Sequence, residues 1–235
     1  MRNDPAVSIT HWTGPLVLSG FALLVGCGSH NHLAEYAFAD HTLGMVYLAS
    51  PAPRLYTGGY DVRESDDAVT AVVRAGAGVA KHIEGKRSAA RLDSASARVN
   101  LAELLAHRTV ERAGRYLGLR PAGNSDEADY LLEVQMHNFG IDASSDAAAY
   151  LYTNAEAVLL DRRSGREIWS AKVHGTDRLT PNVRGAGGLP GTIITAGTLG
   201  TVTVADYQRA LDELATLSSR VIADELRAAL RDARK

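Results

Sequence analysis

Three segments between residues 128 and 177 alternate apolar and polar side chains, and that period restricts the chain to folds built on a sheet. In "ADYLLEVQMHNFGI" (128–141), Tyr130, Leu132, Val134 and Met136 have one parity and Glu133, Gln135 and His137 the other. A strand sends successive side chains to opposite faces, so the first set faces a core and the second faces away. The next stretch, 148–177, reads as a hairpin: Ala155 to Leu160 and Glu167 to His174 flank the turn Asp161-Arg162-Arg163-Ser164-Gly165. Glycine at the end of that turn meets its demand for positive φ. Trp169 lies on the return strand and is expected in the core or at its rim. An apolar sheet face needs a second layer to cover it.

Helical patterns supply that layer. Val69, Val72, Val73, Gly76, Val79, Ala80 and Ile83 recur at three- and four-residue spacing, with Ser65, Asp66 and Asp67 suited to a helix start. Residues 85–98 continue this helix or form a loop. Leu101, Leu104, Leu105, Val110, Ala113 and Leu117 make a second stripe, ended by Gly118. Thr203 with Asp206 resembles a capping box opening a last helix. Its stripe is Tyr207, Leu211, Leu214, Leu217, Val221, Ile222, Leu226 and Leu230, and basic residues fill its final turns. Short apolar runs at 44–50 and near Leu119 read as strands, and Gly58-Gly59 as a turn or bulge. The order predicts an α/β (α+β) fold: a mixed central sheet with a β-hairpin, packed by three main helices. The chain of 235 residues suffices for one well-buried domain, placed at 44–235.

The single cysteine, Cys27, rules out an internal disulfide framework or a multi-cysteine metal site. It ends an uncharged run from Pro15 to Gly26. That run is about a dozen residues, too short to span a bilayer but as long as a signal-peptide core. The motif Leu24-Val25-Gly26-Cys27 resembles the bacterial lipobox. The resemblance implies a signal peptide at 1–26 recognised by its peptidase at Leu24, Val25 and Gly26, cleavage before Cys27, and acylation of Cys27 by diacylglycerol and a further chain such as palmitate. Two or more acyl chains anchor stably where one is marginal. By the same resemblance, Gly28 in place of Asp implies the periplasmic face of the outer membrane. Residues 27–43 are polar and mixed and read as a lipidated tether.

The stretch 180–203 is glycine-rich, nearly uncharged and carries Leu189, Ile193, Ile194 and Leu199. It reads either as an apolar loop that orders against a partner, a neighbouring subunit or the membrane surface, or as a mobile loop partly tucked on its own domain. Those four residues are the interaction candidates.

Signals for chemistry are sparse. The segment 185–191, "GAGGLPG", lacks the Lys-Ser/Thr ending of a phosphate loop. The one thiol is assigned to the lipid, and no nucleophile elbow occurs. Asp161 and Asp177 are available as paired carboxylates, and His137 and His174 as residues sharing a strand surface. His30 and His32 offer too few ligands for a metal. A net charge of −2 without a basic run gives no electrostatic support for nucleic-acid binding. No catalytic residue, cofactor or metal is assigned.

"SDEADYLLEVQMHNFGI" followed by "AEAVLLDRRSGREIWSAKVHG" is similar to envelope lipoproteins of the curli-secretion, penicillin-binding-protein-activator and polysaccharide-export type. The resemblance implies a non-enzymatic cell-envelope lipoprotein acting in assembly, export or secretion, through an envelope protein partner or homo-oligomerisation. The alternatives are an anchored hydrolase or carbohydrate-active enzyme, and a lipid- or small-molecule-binding auxiliary lipoprotein of a transporter.

Overall fold

The structure is a computed structural model that describes residues 31–58, 68–144, 148–179 and 191–235; of 68–77 and 191–195 it describes the backbone alone. Leu24, Val25, Gly26, Cys27 and Leu189 lie outside the described residues, as do His30 and most of the 185–191 segment.

Six strands form one mixed sheet: β1 (Thr42–Tyr47), β2 (Arg54–Tyr56), β3 (Arg120–Pro121), β4 (Tyr130–Asp142), β5 (Tyr150–Asp161) and β6 (Glu167–Arg178). The order is β3-β1-β4-β5-β6, with β2 also on β4, beyond the end of β1. β1 and β2 run parallel to β4, while β4, β5 and β6 are antiparallel. The hairpin turn closes as its glycine requires: Gly165 has φ +68°, and its N–H donates to the Asp161 carbonyl at 2.8 Å.

Four helices join the sheet: α1 (Ala68–Ser96), α2 (Leu101–Leu117), α3 (Gly191–Thr201) and α4 (Val204–Asp232). Asn100 caps α2 through the Glu103 N–H, and Gly118 ends it at φ +73°. The Thr203–Asp206 capping box is formed in both directions. α2 and α4 pack together and on the strands, burying Leu105, Leu117, Tyr207, Leu211, Leu214, Ile222 and Leu226 against Leu132, Val134, Leu159 and Trp169. Trp169 is 1% exposed. The long helices all cover this same sheet face: Gly175 meets Ser218 of α4, and Leu55 of β2 meets Gly85 of α1.

Three sequence expectations need correction. First, α1 does not bury the stripe through Val79 and Ile83, which are 55% and 46% exposed. It buries Gly78, Lys81, Gly85, Ser88, Leu92 and Ala95 instead. The cause is close approach: α3 and β2 lie against this side, where a Cβ at Gly85 would already be 3.1 Å from Leu55 Cδ2. Small residues let backbones near one another, so size rather than hydropathy chooses the face.

Second, the expected loop at 180–203 contains α3, which packs on α1. Ser88 Oγ and Arg91 Nη1 both donate to the Leu199 carbonyl, at 3.0 and 3.1 Å, and Arg91 also reaches the Val202 carbonyl at 3.2 Å. These bonds satisfy carbonyls that the helix end leaves open. Leu199 is fully buried in the domain's own core. Ile193 and Ile194 lie on the backbone of the same helix.

Third, the domain begins earlier than the expected tether boundary at 43. Asn31 forms an antiparallel bridge with Trp169, Leu33 and Phe38 are buried, and β1 starts at Thr42. Phe38 and Tyr36 pack on Tyr130 at ring-centroid distances of 5.1 and 6.2 Å, and the Tyr130 hydroxyl donates to the Ala37 carbonyl at 3.1 Å. Three apolar side chains in an otherwise polar segment suffice to dock it.

Candidate interaction surface

With its long helices on one side, the sheet leaves the other face of β4, β5 and β6 uncovered by any described element, while at β1 residues 125–128 lie over Gly44. The register states which residues meet there. Across β4, β5 and β6 the rows are Glu133–Val158–Ser170, Gln135–Glu156–Lys172, Asn138–Asn154–His174 and Gly140–Tyr152–Thr176. A bulge between Met136 and Asn138 puts both His137 and Asn138 on this face and returns Phe139 and Ile141 to the core.

The middle of the face is a linked polar cluster. His137 Nε2 lies 3.2 Å from Glu156 Oε2. Asn154 Nδ2 donates to Asn138 Oδ1 at 2.7 Å, and Asn154 Oδ1 lies 2.6 Å from His174 Nδ1. The Asn154 carbonyl oxygen is an acceptor, so His174 carries its proton on Nδ1 in this bond. Beside it, Tyr152 stacks on the His174 ring at a centroid distance of 6.3 Å, and the Tyr56 ring lies tilted against it at 6.0 Å. Tyr152 is 6% exposed and its hydroxyl has no hydrogen-bond partner. Burial, with Tyr56 adding to it, raises its phenol above the ordinary tyrosine value. At the margin the Arg178 guanidinium lies 5.5 Å from the Tyr150 ring centroid.

Towards the β5–β6 turn the face becomes apolar. Leu131, Val158 and Leu160 are half-buried there, with Val46 next to Glu133 on β1. An apolar patch adjoining hydrogen-bonded polar side chains has the composition of a protein-binding surface.

The structure brings His137 and His174 to one face on the two strands flanking β5. It separates the two carboxylates considered for acid–base work. Asp161 closes the β5–β6 turn, and Asp177 pairs with Leu151 at the far end of the same hairpin. At about 3.3 Å per residue the two are some 30 Å apart. His32 holds Glu35 at 2.7 Å. Among the described residues no group of three His, Cys, Asp or Glu is placed to hold a metal. No described helix is long and apolar enough to cross a membrane.

Sequence reasoning did not single out Asn138, Asn154, Glu156 or Tyr152. One signal was present: the apolar parity runs Tyr130, Leu132, Val134, Met136 and then shifts to Phe139 and Ile141. Such a phase change marks a bulge and puts two consecutive residues on the outer face.

No protein-family model matches the chain, and no curated protein matches it. Among solved structures it is similar to XCC0632 of Xanthomonas campestris, at 12% identity over 85% of this chain and 90% of that one, with a TM-score of 0.41. It is similar to the PelC dodecamer of Paraburkholderia phytofirmans, at 13% identity over 76% and 90%, with a TM-score of 0.24. It is also similar to lipoprotein GNA1162 of Neisseria meningitidis, at 18% identity over 63% and 88%, with a TM-score of 0.23. These scores, all below 0.5, are too low to carry a functional comparison.

Proposed function

We propose that the chain is a non-enzymatic envelope lipoprotein, anchored through an acylated Cys27 at the periplasmic face of the outer membrane, that works by binding an envelope protein or copies of itself. The observation that carries this reading is the one-sided sheet, whose uncovered face combines the apolar patch of Leu131, Val158 and Leu160 with the His137–Glu156 and Asn138–Asn154–His174 bonds. Half-buried apolar side chains beside satisfied polar ones suit a flat protein contact better than a reaction centre. The hydrolase alternative loses its named pair, because Asp161 and Asp177 stand at opposite ends of the hairpin.

The test begins with the membrane-extracted protein, whose mature N-terminus should be an acylated Cys27 by mass spectrometry. Val158→Arg then replaces one of the three apolar side chains of the patch by a charge. The variant should keep the wild-type melting temperature within a few degrees and lose its assembly or partner in light scattering and co-purification. Unchanged assembly and partners in a folded Val158→Arg variant would move the interaction off this face.

A further inference from the structure

The first described residue is not free: Asn31 bridges Trp169, its side-chain amide donates to the Ala229 carbonyl at 3.0 Å, and the His32 N–H donates to the Ile168 carbonyl at 2.8 Å. The chain is therefore clamped between the start of β6 and the end of α4. Cys27 precedes Asn31 by four residues. A chain segment of that length reaches at most about 14 Å when fully extended. An acyl anchor on Cys27 would hold this end of the molecule within about that distance of the bilayer.

The same end carries two groups of exposed basic side chains. The β5–β6 turn exposes Arg162, Arg163 and Arg166, and the end of α4 with the three residues after it exposes Arg231, Arg234 and Lys235. The two groups flank the clamped N-terminal segment. Arg166 pairs with Glu35 at 2.9 Å, and Arg234 borders a groove with Leu33, Tyr36 and Phe38. Carboxylates lie at this end too: Glu35 holds Arg166, Asp232 holds Lys235 at 2.7 Å, Asp129 takes two bonds from Thr42, Asp161 accepts the Arg163 N–H at 2.9 Å, and Asp126, Glu127 and Glu167 stand at the foot of the turn. Arg162, Arg163, Arg231 and Arg234 form no ion pair among the described residues.

We propose that this end, formed by the β5–β6 turn and the C-terminal turns of α4, docks on an anionic phospholipid surface. The proposal rests on the lipid-anchor reading above. Acyl chain and basic patch act together, each making the other's contact local. The strands then stand away from the membrane, and the uncovered sheet face points sideways, where neighbours on the same membrane can reach it.

The experiment uses the full chain, processed in the cell and reconstituted into vesicles. Because acylation consumes the natural thiol, one introduced cysteine takes a single fluorophore. Ser164→Cys places it in the turn, and Ala205→Cys at the opposite end of α4, about 40 Å away from Arg231. In phosphatidylethanolamine–phosphatidylglycerol vesicles with a headgroup quencher, the label at 164 should be quenched and the label at 205 should not. Replacing Arg162, Arg163, Arg231 and Arg234 together by Gln should weaken the quenching at 164. Phosphatidylcholine alone should do the same for the wild-type arginines. Equal quenching at both positions, or quenching insensitive to both the Gln replacements and the lipid charge, would overturn the proposal while leaving the anchor intact. If mass spectrometry finds Cys27 unacylated, the anchor reading fails and the patch is measured by itself. Full chains with and without the four Gln replacements are then sedimented with the phosphatidylglycerol vesicles. Each basic side chain contributes about fivefold to partition, so the wild-type should bind at least about tenfold better. Equal binding overturns the patch.

Discussion

Ser218 of α4 sits directly over Gly175 of β6, so closely that a methyl group at 175 would overlap the serine hydroxyl. The missing side chain on β6 is what lets α4 lie against the sheet. Ser218 Oγ is buried there without a hydrogen-bond partner. Gly175→Ala should therefore destabilise the protein by about 1–3 kcal/mol through overpacking. Ser218→Ala deletes the unsatisfied hydroxyl and should leave stability unchanged or raise it by up to about 1 kcal/mol. In that background Gly175→Ala should cost less. Denaturant titration of the four proteins checks the coupling, and additivity within about 0.5 kcal/mol would show that the two residues do not share this contact.

Trp169 joins the hairpin to the N-terminal segment. Its side chain is buried opposite Leu159, and its backbone bridges Asn31. Trp169→Ala should cost about 3–5 kcal/mol from the cavity alone. Limited proteolysis should also cut sooner within residues 31–41. A melting temperature equal to that of the wild type would contradict the burial.

Acid should loosen the same segment from its other end. The Thr42 N–H and hydroxyl both donate to Asp129 Oδ2, at 2.8 and 2.9 Å, and hold this carboxyl below its ordinary value, with His41 adding less. A carboxylate whose folded value is depressed stabilises the fold above its unfolded value of about 3.9. That contribution is lost as pH falls through the lower folded value. Amide exchange at Thr42 should thus lose protection as pH drops below about 4. Asp129→Asn should show weaker protection with no such step, and a flat wild-type profile over that range would contradict the assignment.

These relationships differ in how far the sequence exposes them. The strands β4, β5 and β6 are legible because period-two alternation has a single geometric meaning. The stop of α2 and the start of α4 are legible because Gly118, Thr203 and Asp206 act within a few residues of themselves. The docking of Tyr36 and Phe38 depends on Tyr130, more than ninety residues away, and no local pattern encodes it. Nor does hydropathy reveal the buried side of α1, where glycine and serine are chosen for size. On the open sheet face, parity alone assigns His137 and His174 to the outside. Only the register through Asn154 and Glu156 says which partners they find.

α3 is the element where pattern and structure part most, and it sets the last prediction. Thr, Ile and Gly are poor helix formers, and Gly197 and Gly200 each weaken an isolated helix by about 1 kcal/mol. An eleven-residue helix of that composition needs tertiary support. The support is visible in Leu199, fully buried, and in the donors Ser88 and Arg91 at its carbonyl. Leu199→Ala should cost about 2–5 kcal/mol, as a core truncation does. Replacing 183–200 by a short Gly-Ser loop, harmless if the segment were a surface loop, should instead uncover the Ser88 and Arg91 side of α1. Hydrogen exchange should then quicken along the second half of α1 while α2 and β4 stay protected. A Leu199→Ala protein with wild-type stability but altered assembly in light scattering would instead return Leu199 to a partner surface.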